Sequence, residues 1–477
     1  MALENLSSLR HFGPELWLTA SILAAFVGSM VRRLTWLWIP FLALALYSAF
    51  TGLSSEATYL FKGMLALDGM TGIFRLFFLM VALLTFILAA KSRELAAVAR
   101  PEFRGLLLSV VLGMMLMASA TNLLMAYLAM EMVSILSYAL AASLKGNRRS
   151  HEAGLKYVIF GGVASGVMLF GLSILYGLTG SLDFAAIGHA LAGGGANPLP
   201  LFFAMVLLLA GLGFKIAAVP FHMWCPDVYE GAPISVTAFL SVGPKAAGFA
   251  LLLRLFGGAI FDGGVSPIWP GLIALLSVAT MTLGNLSALW QNNLKRLMAY
   301  SSIAHAGYLL MGVVLLNTQA MTAIVFYLFA YLLMNFGAFM VIAAIANENG
   351  SEEIDGVRGL WKRHPFLAVS MAIFLFSLTG LPPTFGFVGK LYLFAALIES
   401  GWFWLAVVGL LNSVISLAYY VRIAKAMLID EGEEEVAKEK LPLLTGISLG
   451  VLAALTLILG VYWEPLRVFA EKTFVIL

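Results

Sequence analysis

Long apolar segments, separated by short polar ones, follow one another along the whole chain. About 20 apolar residues are enough for an α-helix to cross a lipid bilayer, so we predict an all-α polytopic membrane protein with about fourteen transmembrane helices. No remaining segment is long enough for a sizeable soluble domain. The predicted helices cover residues 14–31, 34–53, 68–90, 104–118, 121–143, 156–178, 199–223, 234–256, 267–289, 296–315, 320–346, 366–398, 402–427 and 443–463.

The composition supports this prediction. Of the 477 residues, 61% are hydrophobic and only 11% are charged, whereas about 25% of the residues in a soluble domain are charged. The net charge of +3 is too small to indicate a nucleic-acid partner. The single cysteine, Cys225, excludes an internal disulfide framework and a multi-cysteine iron–sulfur site. The first residues lack the features of a cleaved signal peptide, so we expect the first helix to be retained.

The basic residues are distributed unevenly between the two sides of the predicted helices. Loops after odd-numbered helices, with the adjoining helix ends, hold 19 of the 28 lysines and arginines. Cytoplasmic loops are typically enriched in these residues, so both chain termini should face away from the cytoplasm. The 19 residues are Arg32, Arg33, Lys91, Arg93, Arg100, Arg104, Lys145, Arg148, Arg149, Lys156, Lys295, Arg296, Arg358, Lys362, Arg363, Arg422, Lys425, Lys438 and Lys440.

Four charged residues are predicted to lie at membrane depth, away from the helix ends. Glu131 lies in the middle of the fifth helix, Lys215 in the seventh, Lys245 in the eighth and Lys390 in the twelfth. Together they cost on the order of 10 kcal/mol on insertion scales. An ion pair of Glu131 with one lysine would leave two lysines unexplained. Burial favours the neutral amine and a nearby carboxylate favours the ammonium, so such lysines can exchange protons near neutral pH without a cofactor.

Prolines accompany the three buried lysines. Pro220 follows Lys215, Pro244 directly precedes Lys245, and Pro382 and Pro383 precede Lys390 in the sequence. Proline removes a backbone donor and disrupts a helix, and irregular backbone at membrane depth is tolerated only against protein or a water-filled cavity. Interrupted helices at corresponding places of two halves indicate a transport site. We therefore predict that the seventh and twelfth helices are broken and line a wet polar path.

Several polar side chains could carry protons along such a path, directly or through water. Each also has a structural alternative, because a histidine inside a helix can serve packing and a lysine at a helix start can extend to the membrane interface. The candidates are Lys156, His222, His305, Tyr300, Ser301, Ser302, Asn285 and Ser137.

Three stretches strongly resemble one family, the antiporter-like membrane subunits of respiratory complex I, and the similarity extends in order over essentially the whole chain. Within the family the chain is most similar to the subunit-N group of bacterial NADH–quinone oxidoreductases. The sequence DVYEGAP, a lysine at position 390 and an end soon after the fourteenth helix favour that group. The stretches are PFHMWCPDVYEGAP (220–233), NNLKRLMAYSSIAHAGYLLMG (292–312) and FSLTGLPPTFGFVGKLYLF (376–394).

The resemblance implies a domain organisation with two inverted five-helix repeats. The first repeat would comprise helices four to eight (104–256) and the second helices nine to thirteen (267–427). Helices one to three and the start of the fourth (1–118) would precede them, and a cytoplasmic loop with the fourteenth helix (428–477) would follow.

The resemblance also implies roles for individual residues. Glu131 and Lys215 would form the interacting pair of the first half-channel, Lys245 would be the connecting lysine, and Lys390 the key lysine of the second half. Lys156 matches a further lysine position of the family. His222 and His305 match histidines of its polar axis, and Tyr300 is a supporting candidate.

The family couples quinone reduction elsewhere in the complex to proton translocation in the bacterial inner membrane. By implication this chain carries no cofactor, because NAD, FMN and the iron–sulfur clusters lie in partner subunits and quinone binds elsewhere. The expected partners are an adjacent antiporter-like subunit, small membrane subunits and membrane lipids.

Alternatives remain at this stage. A subunit of a multi-subunit cation/proton antiporter or of a membrane-bound hydrogenase would share the fold, although the DVYEGAP stretch favours complex I. His222 and Asp227 have the H-x-x-x-x-D spacing of membrane lipid acyltransferases, in which aspartate orients a histidine base, but that function leaves the three lysines unexplained. A purely structural scaffold predicts that neutralising the lysines has no effect.

Overall fold

The computed structural model describes residues 2–31, 34–54, 57–90, 92–97, 100–193, 197–257, 268–315, 317–431 and 441–473. Twenty α-helices occur in these residues. The first half of the chain forms α1 (Ala2–His11), α2 (Gly13–Met30), α3 (Trp38–Thr51), α4 (Gly69–Ala89), α5 (Arg100–Ser119), α6 (Leu123–Ala141), α7 (Arg148–Thr179), α8 (Phe184–Ala192), α9 (Pro198–Ile216), α10 (Trp224–Gly231) and α11 (Ile234–Leu255). The second half forms α12 (Ile268–Ala288), α13 (Leu294–Leu315), α14 (Thr318–Asn349), α15 (Leu360–Arg363), α16 (Pro365–Thr379), α17 (Phe385–Glu399), α18 (Phe403–Leu428), α19 (Leu443–Val461) and α20 (Glu464–Thr473).

Every predicted apolar segment coincides with a helix. Eleven helices of the described residues are long and apolar enough to cross a membrane, and α3 and α16 are shorter apolar helices. The helical membrane class is therefore confirmed, while the number fourteen stays a prediction. Five basic residues used for the predicted orientation lie outside the described residues, namely Arg32, Arg33, Lys91, Lys438 and Lys440.

A β-hairpin between α3 and α4 departs from the all-α prediction. Strand β1 (Thr58–Leu60) pairs antiparallel with β2 (Leu65–Leu67). Leu60, Leu65 and Leu67 are buried in a small cluster against Met125 of α6. Three-residue strands are too short to show a recognisable alternation of apolar and polar residues, so they could not be predicted from the sequence.

Two helices are interrupted where the sequence predicted it. Helix α9 ends at Ile216, Ala217 adopts a left-handed conformation with φ of 57°, and α10 begins only at Trp224. Helix α16 ends at Thr379, and Gly380 takes φ of 88° before α17 begins. Glycine adopts this conformation without strain, whereas alanine does so at a cost. The predicted breaks in the seventh and twelfth helices are confirmed.

Pro244 does not interrupt its helix, so its expected role as a helix breaker is wrong. Helix α11 continues through it from Ile234 to Leu255, and all of its residues are buried. Neighbouring helices on all sides can accommodate the backbone groups that a proline leaves unpaired. Helix α11 is therefore a continuous central helix, and Lys245 lies inside it.

The two halves of the chain share local features that support the predicted repeats. Helices α7 and α14 each have 32 residues and end at a left-handed glycine. Isolated antiparallel bridges join Asn122 to Asp183 at the start of α6, and Asn293 to Glu353 at the start of α13. The two interrupted helices also correspond, because a left-handed residue is followed three positions later by a proline in each. The inverted arrangement itself stays a prediction.

Two buried ion pairs connect the N-terminal helices with the rest of the protein. Arg254 of α11 donates to both oxygens of Asp68, at 2.8 and 2.9 Å, where Asp68 precedes α4. Arg75 of α4 donates to both oxygens of Glu15 on α2, at 2.6 and 2.9 Å. All four side chains are at least 96% buried. Arg75 and Arg254 thereby join α2, α4 and α11.

We expect Asp68→Asn to destabilise the protein strongly, because Arg254 would keep a buried charge without its carboxylate. Removing one member of a buried ion pair costs about 3–5 kcal/mol. The thermal unfolding of the chain purified in detergent measures this effect. Glu464→Gln, in an exposed pair with Arg467, is the matched control and should cost less than about 1 kcal/mol. Equal unfolding temperatures for the two variants would contradict this role of the buried pair.

Candidate functional site

Lys215 is held by a serine hydroxyl and not by the predicted glutamate. It lies in the last turn of α9, is 1% exposed, and donates to Ser134 Oγ on α6 at 2.8 Å. Both Glu131 and Lys215 are described, and no ion pair within 4.0 Å joins them. Glu131 lies one turn before Ser134 and is half-buried. The two predicted partners therefore do not contact each other directly, and Ser134 contacts the amine of Lys215 instead.

Lys245 lies in the middle of α11 and is 3% exposed. Its Nζ donates to Ser302 Oγ on α13 at 2.5 Å. The ring centre of Tyr229 lies 5.8 Å from the same nitrogen, within the range of a cation–π interaction. Lys245 therefore connects α11 with α13 and with the short helix α10 through neutral groups.

Lys390 lies on α17 and folds back onto the end of α16. Its Nζ donates to the carbonyl oxygens of Leu378 and Thr379, at 3.2 and 2.8 Å, and to Ser413 Oγ at 3.0 Å. The ring of Tyr308 lies 4.3 Å away. Because the C-terminal carbonyls of a helix carry partial negative charge, the helix break itself stabilises the ammonium.

A stripe of polar residues on α13 lies between the last two lysines. Ser302, His305 and Tyr308 are spaced three residues apart and so share one face of the helix. Ser302 contacts Lys245, the rings of His305 and Tyr308 are 5.8 Å apart, and Tyr308 contacts Lys390. The stripe places groups that can carry protons between the two lysines.

Tyrosine hydroxyls surround His305 at the centre of this stripe. Its Nδ1 lies 2.6 Å from the hydroxyl of Tyr327, and its Nε2 lies 3.3 Å from that of Tyr420. Tyr420 in turn contacts Ser301 Oγ at 2.5 Å. The structure therefore places two of the candidates, Ser301 and His305, around the hydroxyl of Tyr420.

Asn285 supports this cluster from α12. Its side-chain nitrogen donates to the hydroxyl of Tyr308 and to Oδ1 of Asn412, both at 3.2 Å, and its oxygen accepts from Tyr419 at 3.0 Å. These bonds fix the position of the Tyr308 hydroxyl, so Asn285 orients a member of the stripe rather than contacting a lysine.

Several side chains that contact the lysines or His305 were not predicted from the sequence, among them Ser134, Tyr229, Tyr308, Tyr327, Ser413 and Tyr420. Serine and tyrosine in an apolar helix usually serve packing, so each alone carries little signal. Their spacing held a usable signal, because Ser134 follows Glu131 by three residues and Tyr308 follows His305 by three residues. Such neighbours lie on one helix face.

Three candidates do not join the cluster. His222 is buried after the break in α9, and its Nδ1 has no hydrogen-bond partner among the described residues. The hydroxyl of Tyr300 makes no hydrogen bond within the part of the chain that the structure describes, and Ser137 donates to the carbonyl of Val133 in its own helix. Asp227 pairs with cations and not with His222, which removes the geometric basis of an acyltransferase.

Lys156 belongs to a charged cluster away from the buried lysines. Its Nζ is 2.6 Å from Asp227 Oδ2 and 2.9 Å from Glu152 Oε1, and its side chain is 38% exposed. Arg296 contacts the other oxygen of Asp227 at 2.6 Å and Glu230 at 3.0 Å. Asp227 therefore bridges α7 and α13. The structural alternative for Lys156, a lysine that extends to the membrane interface, did not predict this contact.

The chemical capability of the site follows from these partners. Among the described residues, no carboxylate lies within 4.0 Å of the amine of Lys215, Lys245 or Lys390, and each amine instead meets hydroxyls, carbonyls or a ring. Hydroxyl and imidazole groups both donate and accept hydrogen bonds. The arrangement can therefore pass protons between buried amines without breaking an ion pair.

Comparisons with known proteins agree with the geometry. The family model described as "NADH:quinone oxidoreductase/Mrp antiporter, TM" matches residues 120–416. A protein named NADH-quinone oxidoreductase subunit N from Anaeromyxobacter sp. (strain Fw109-5) is 48% identical, over 98% of this chain and 97% of that protein. NADH-quinone oxidoreductase subunit N 2 from Sorangium cellulosum (strain So ce56) is 46% identical, over 99% and 98%.

Solved structures have the same fold. A chain of respiratory complex I from Thermus thermophilus with bound aureothin matches with a TM-score of 0.81 at 34% identity, covering 96% of this chain and 99% of that one. A chain of the Mrp complex from Dietzia sp. DQ12-45-1b matches with a TM-score of 0.87 at 21% identity, covering 99% and 97%, which shows the shared fold alone. The chain therefore belongs to the NADH:quinone oxidoreductase/Mrp antiporter family of membrane proteins, within the group of relatives named NADH-quinone oxidoreductase subunit N.

Proposed function

We propose that this chain is a proton-translocating membrane subunit of a bacterial NADH–quinone oxidoreductase. The observation that carries this proposal is the set of three amines, Lys215, Lys245 and Lys390, each at most 3% exposed and each bound to neutral groups. A charged lysine at membrane depth costs roughly 2.5–3.5 kcal/mol. A neutral partner offsets less of this cost than a carboxylate does, so each lysine can release its proton readily.

The proposed route uses the stripe on α13. Protons would come from the cytoplasmic side, load Lys215 and Lys245, and pass along Ser302, His305 and Tyr308 towards Lys390. A change at Glu131 would then drive release. This glutamate is half-buried at the surface of the chain, where a neighbouring membrane subunit could alter its charge or surroundings.

The rest of the complex would supply the redox chemistry. NAD, FMN and iron–sulfur clusters would lie in partner subunits, and quinone would bind elsewhere. The partners would be the adjacent antiporter-like subunit and small membrane subunits in the bacterial inner membrane. The names of the relatives, at 46–48% identity, support this assignment over an Mrp antiporter, for which the match supports only the fold. Residues 104–256 and 267–427 would form the two inverted repeats.

The first test is Lys215→Met in the complete complex. Inverted membrane vesicles driven by NADH should lose most proton pumping and coupled quinone reduction, a fall of about tenfold or more, because methionine cannot carry a proton. A native gel confirms assembly. Lys362→Met, at a lysine that is 75% exposed, is the matched control and should leave both activities unchanged. Normal pumping by an assembled Lys215→Met complex would leave this subunit as a scaffold.

A second pair of variants tests the stripe itself. Tyr420→Phe removes the hydroxyl between Ser301 and His305 while keeping the ring, so we expect proton pumping to fall by about tenfold. Tyr392→Phe removes a hydroxyl that accepts from Trp463 instead, and it should pump normally. If both variants pump equally well, protons do not depend on the hydrogen bonds around His305.

The proposed orientation is also testable. Lys362→Cys and Tyr462→Cys place thiols at exposed positions, and the natural Cys225 is buried. A membrane-impermeant maleimide should label Tyr462→Cys in intact spheroplasts and Lys362→Cys only in inverted vesicles, because basic loops stay in the cytoplasm. The opposite labelling pattern would reverse the orientation and the proposed direction of proton uptake.

A further inference from the structure

The two interrupted helices place opposite charges at corresponding positions. Left-handed Ala217 and Gly380 correspond, as do the prolines three residues later, with a constant offset of 163 positions. The same offset pairs Asp227 with Lys390. In the second half, Lys390 folds back onto its own helix break. In the first half, Asp227 reaches outwards to two cations.

Asp227 ties the two halves of the protein together. Lys156 of α7 contacts one carboxylate oxygen and Arg296 of α13 contacts the other, each at 2.6 Å. Although burial raises the pKa of the Asp227 carboxyl, the hydrogen bonds and charges of Lys156 and Arg296 lower it further, to below its usual value. Asp227 is therefore an anion at neutral pH and holds its partners without carrying protons itself.

The short helix α10 has two different faces. Cys225 and Tyr229, four residues apart, face inwards, and Tyr229 contacts Lys245. Asp227, Glu230 and Gly231 lie on the other face. There they line a cavity of about 270 Å³ together with Lys156 and Arg296. Helix α10 thus separates a charged cavity from the buried amine.

The cavity suits water. Its walls carry carboxylates, a lysine and arginines, and polar cavities of this size hold water molecules that bond to such groups. The cavity lies at the start of α7, on the side predicted to be cytoplasmic. Aromatic contacts on the inner side hold α10 in place, because Trp224 stacks on Tyr157 at 4.3 Å and donates to the carbonyl of Phe214 at 3.1 Å.

We propose that the cavity around Asp227 is the site of proton uptake for Lys245, and that Asp227 is a positioning residue that clamps α10 between the two halves. The step moves one proton through the cavity water to the neutral amine of Lys245, which becomes an ammonium, and the cytoplasmic solvent supplies that proton, so the water is left unchanged. This inference rests on the proposed function, because it assumes that Lys245 carries protons. Without the clamp, α10 moves and proton uptake becomes the slow step.

The test measures NADH-driven quinone reduction and proton pumping in inverted vesicles that carry Asp227→Asn in the complete complex. We expect turnover per assembled complex at pH 8 to fall by about tenfold, since small displacements of catalytic groups cost this much or more. Turnover should recover as the pH is lowered towards 6, because slow uptake depends on proton concentration. Asp355→Asn is the matched control, because Asp355 forms an exposed pair with Arg358 and does not line the cavity, and its pH profile should equal that of the wild type.

Asp227→Glu extends the test, because it keeps the negative charge and shifts it by one methylene. It should have an intermediate turnover and a smaller recovery at low pH. If the Asp227→Asn complex does not assemble, the Asp227→Glu complex becomes the test. An unchanged pH profile of turnover for Asp227→Glu would then overturn the proposal. An assembled Asp227→Asn complex with normal turnover, or with low turnover at every pH, would also overturn it.

Lys215→Met in the same membranes separates this inference from the proposed function. If Lys215→Met abolishes pumping while Asp227→Asn pumps like the wild type, protons are carried by the lysines but do not enter beside Asp227. If Lys215→Met pumps normally, the proposed function fails, and this inference fails with it.

Discussion

An ammonium group inside a membrane has to be solvated by the protein, and this requirement explains why the interrupted helices and the buried lysines occur together. Lys390 takes its partners from the carbonyls of Leu378 and Thr379, which are free because α16 stops there. Exposed irregular backbone is not tolerated in lipid, so such a break has to be covered by protein. The break supplies the amine with partners, and the surrounding helices make the break possible.

The helices that cover these sites are the most buried ones in the described chain. All residues of α11 are buried, as are most of those in α13 and α14. A buried polar group needs a hydrogen-bond partner, because burying it without one costs free energy. Ser302, His305 and Tyr308 each find a partner on a neighbouring helix. The polar stripe on α13 is therefore a consequence of dense packing.

Residues whose burial costs much free energy can be recognised in the sequence, and residues whose burial costs little cannot. Buried lysines and prolines at helix breaks stand out because each costs free energy, and the predicted breaks next to Lys215 and Lys390 are confirmed. Tyr420 and Ser134 cost almost nothing in an apolar helix, so only the folded structure shows their role. Pro244 was expected to break its helix, but α11 continues through it because protein surrounds this helix on all sides. Asp68 and Arg254 are 186 positions apart in the sequence, so no local sequence pattern predicts their contact.

The corresponding positions of Asp227 and Lys390 indicate how one repeated unit can serve two purposes. A lysine after the break turns back to the helix end and becomes a buried, neutral-partnered amine. An aspartate at the same place cannot use those carbonyls, since carboxylate and carbonyl oxygens only accept hydrogen bonds. The carboxylate of Asp227 needs cationic partners instead, and Lys156 and Arg296 contact it at the protein surface. The two corresponding positions therefore differ in direction, because Lys390 turns inwards to its own helix end and Asp227 turns outwards to two cations.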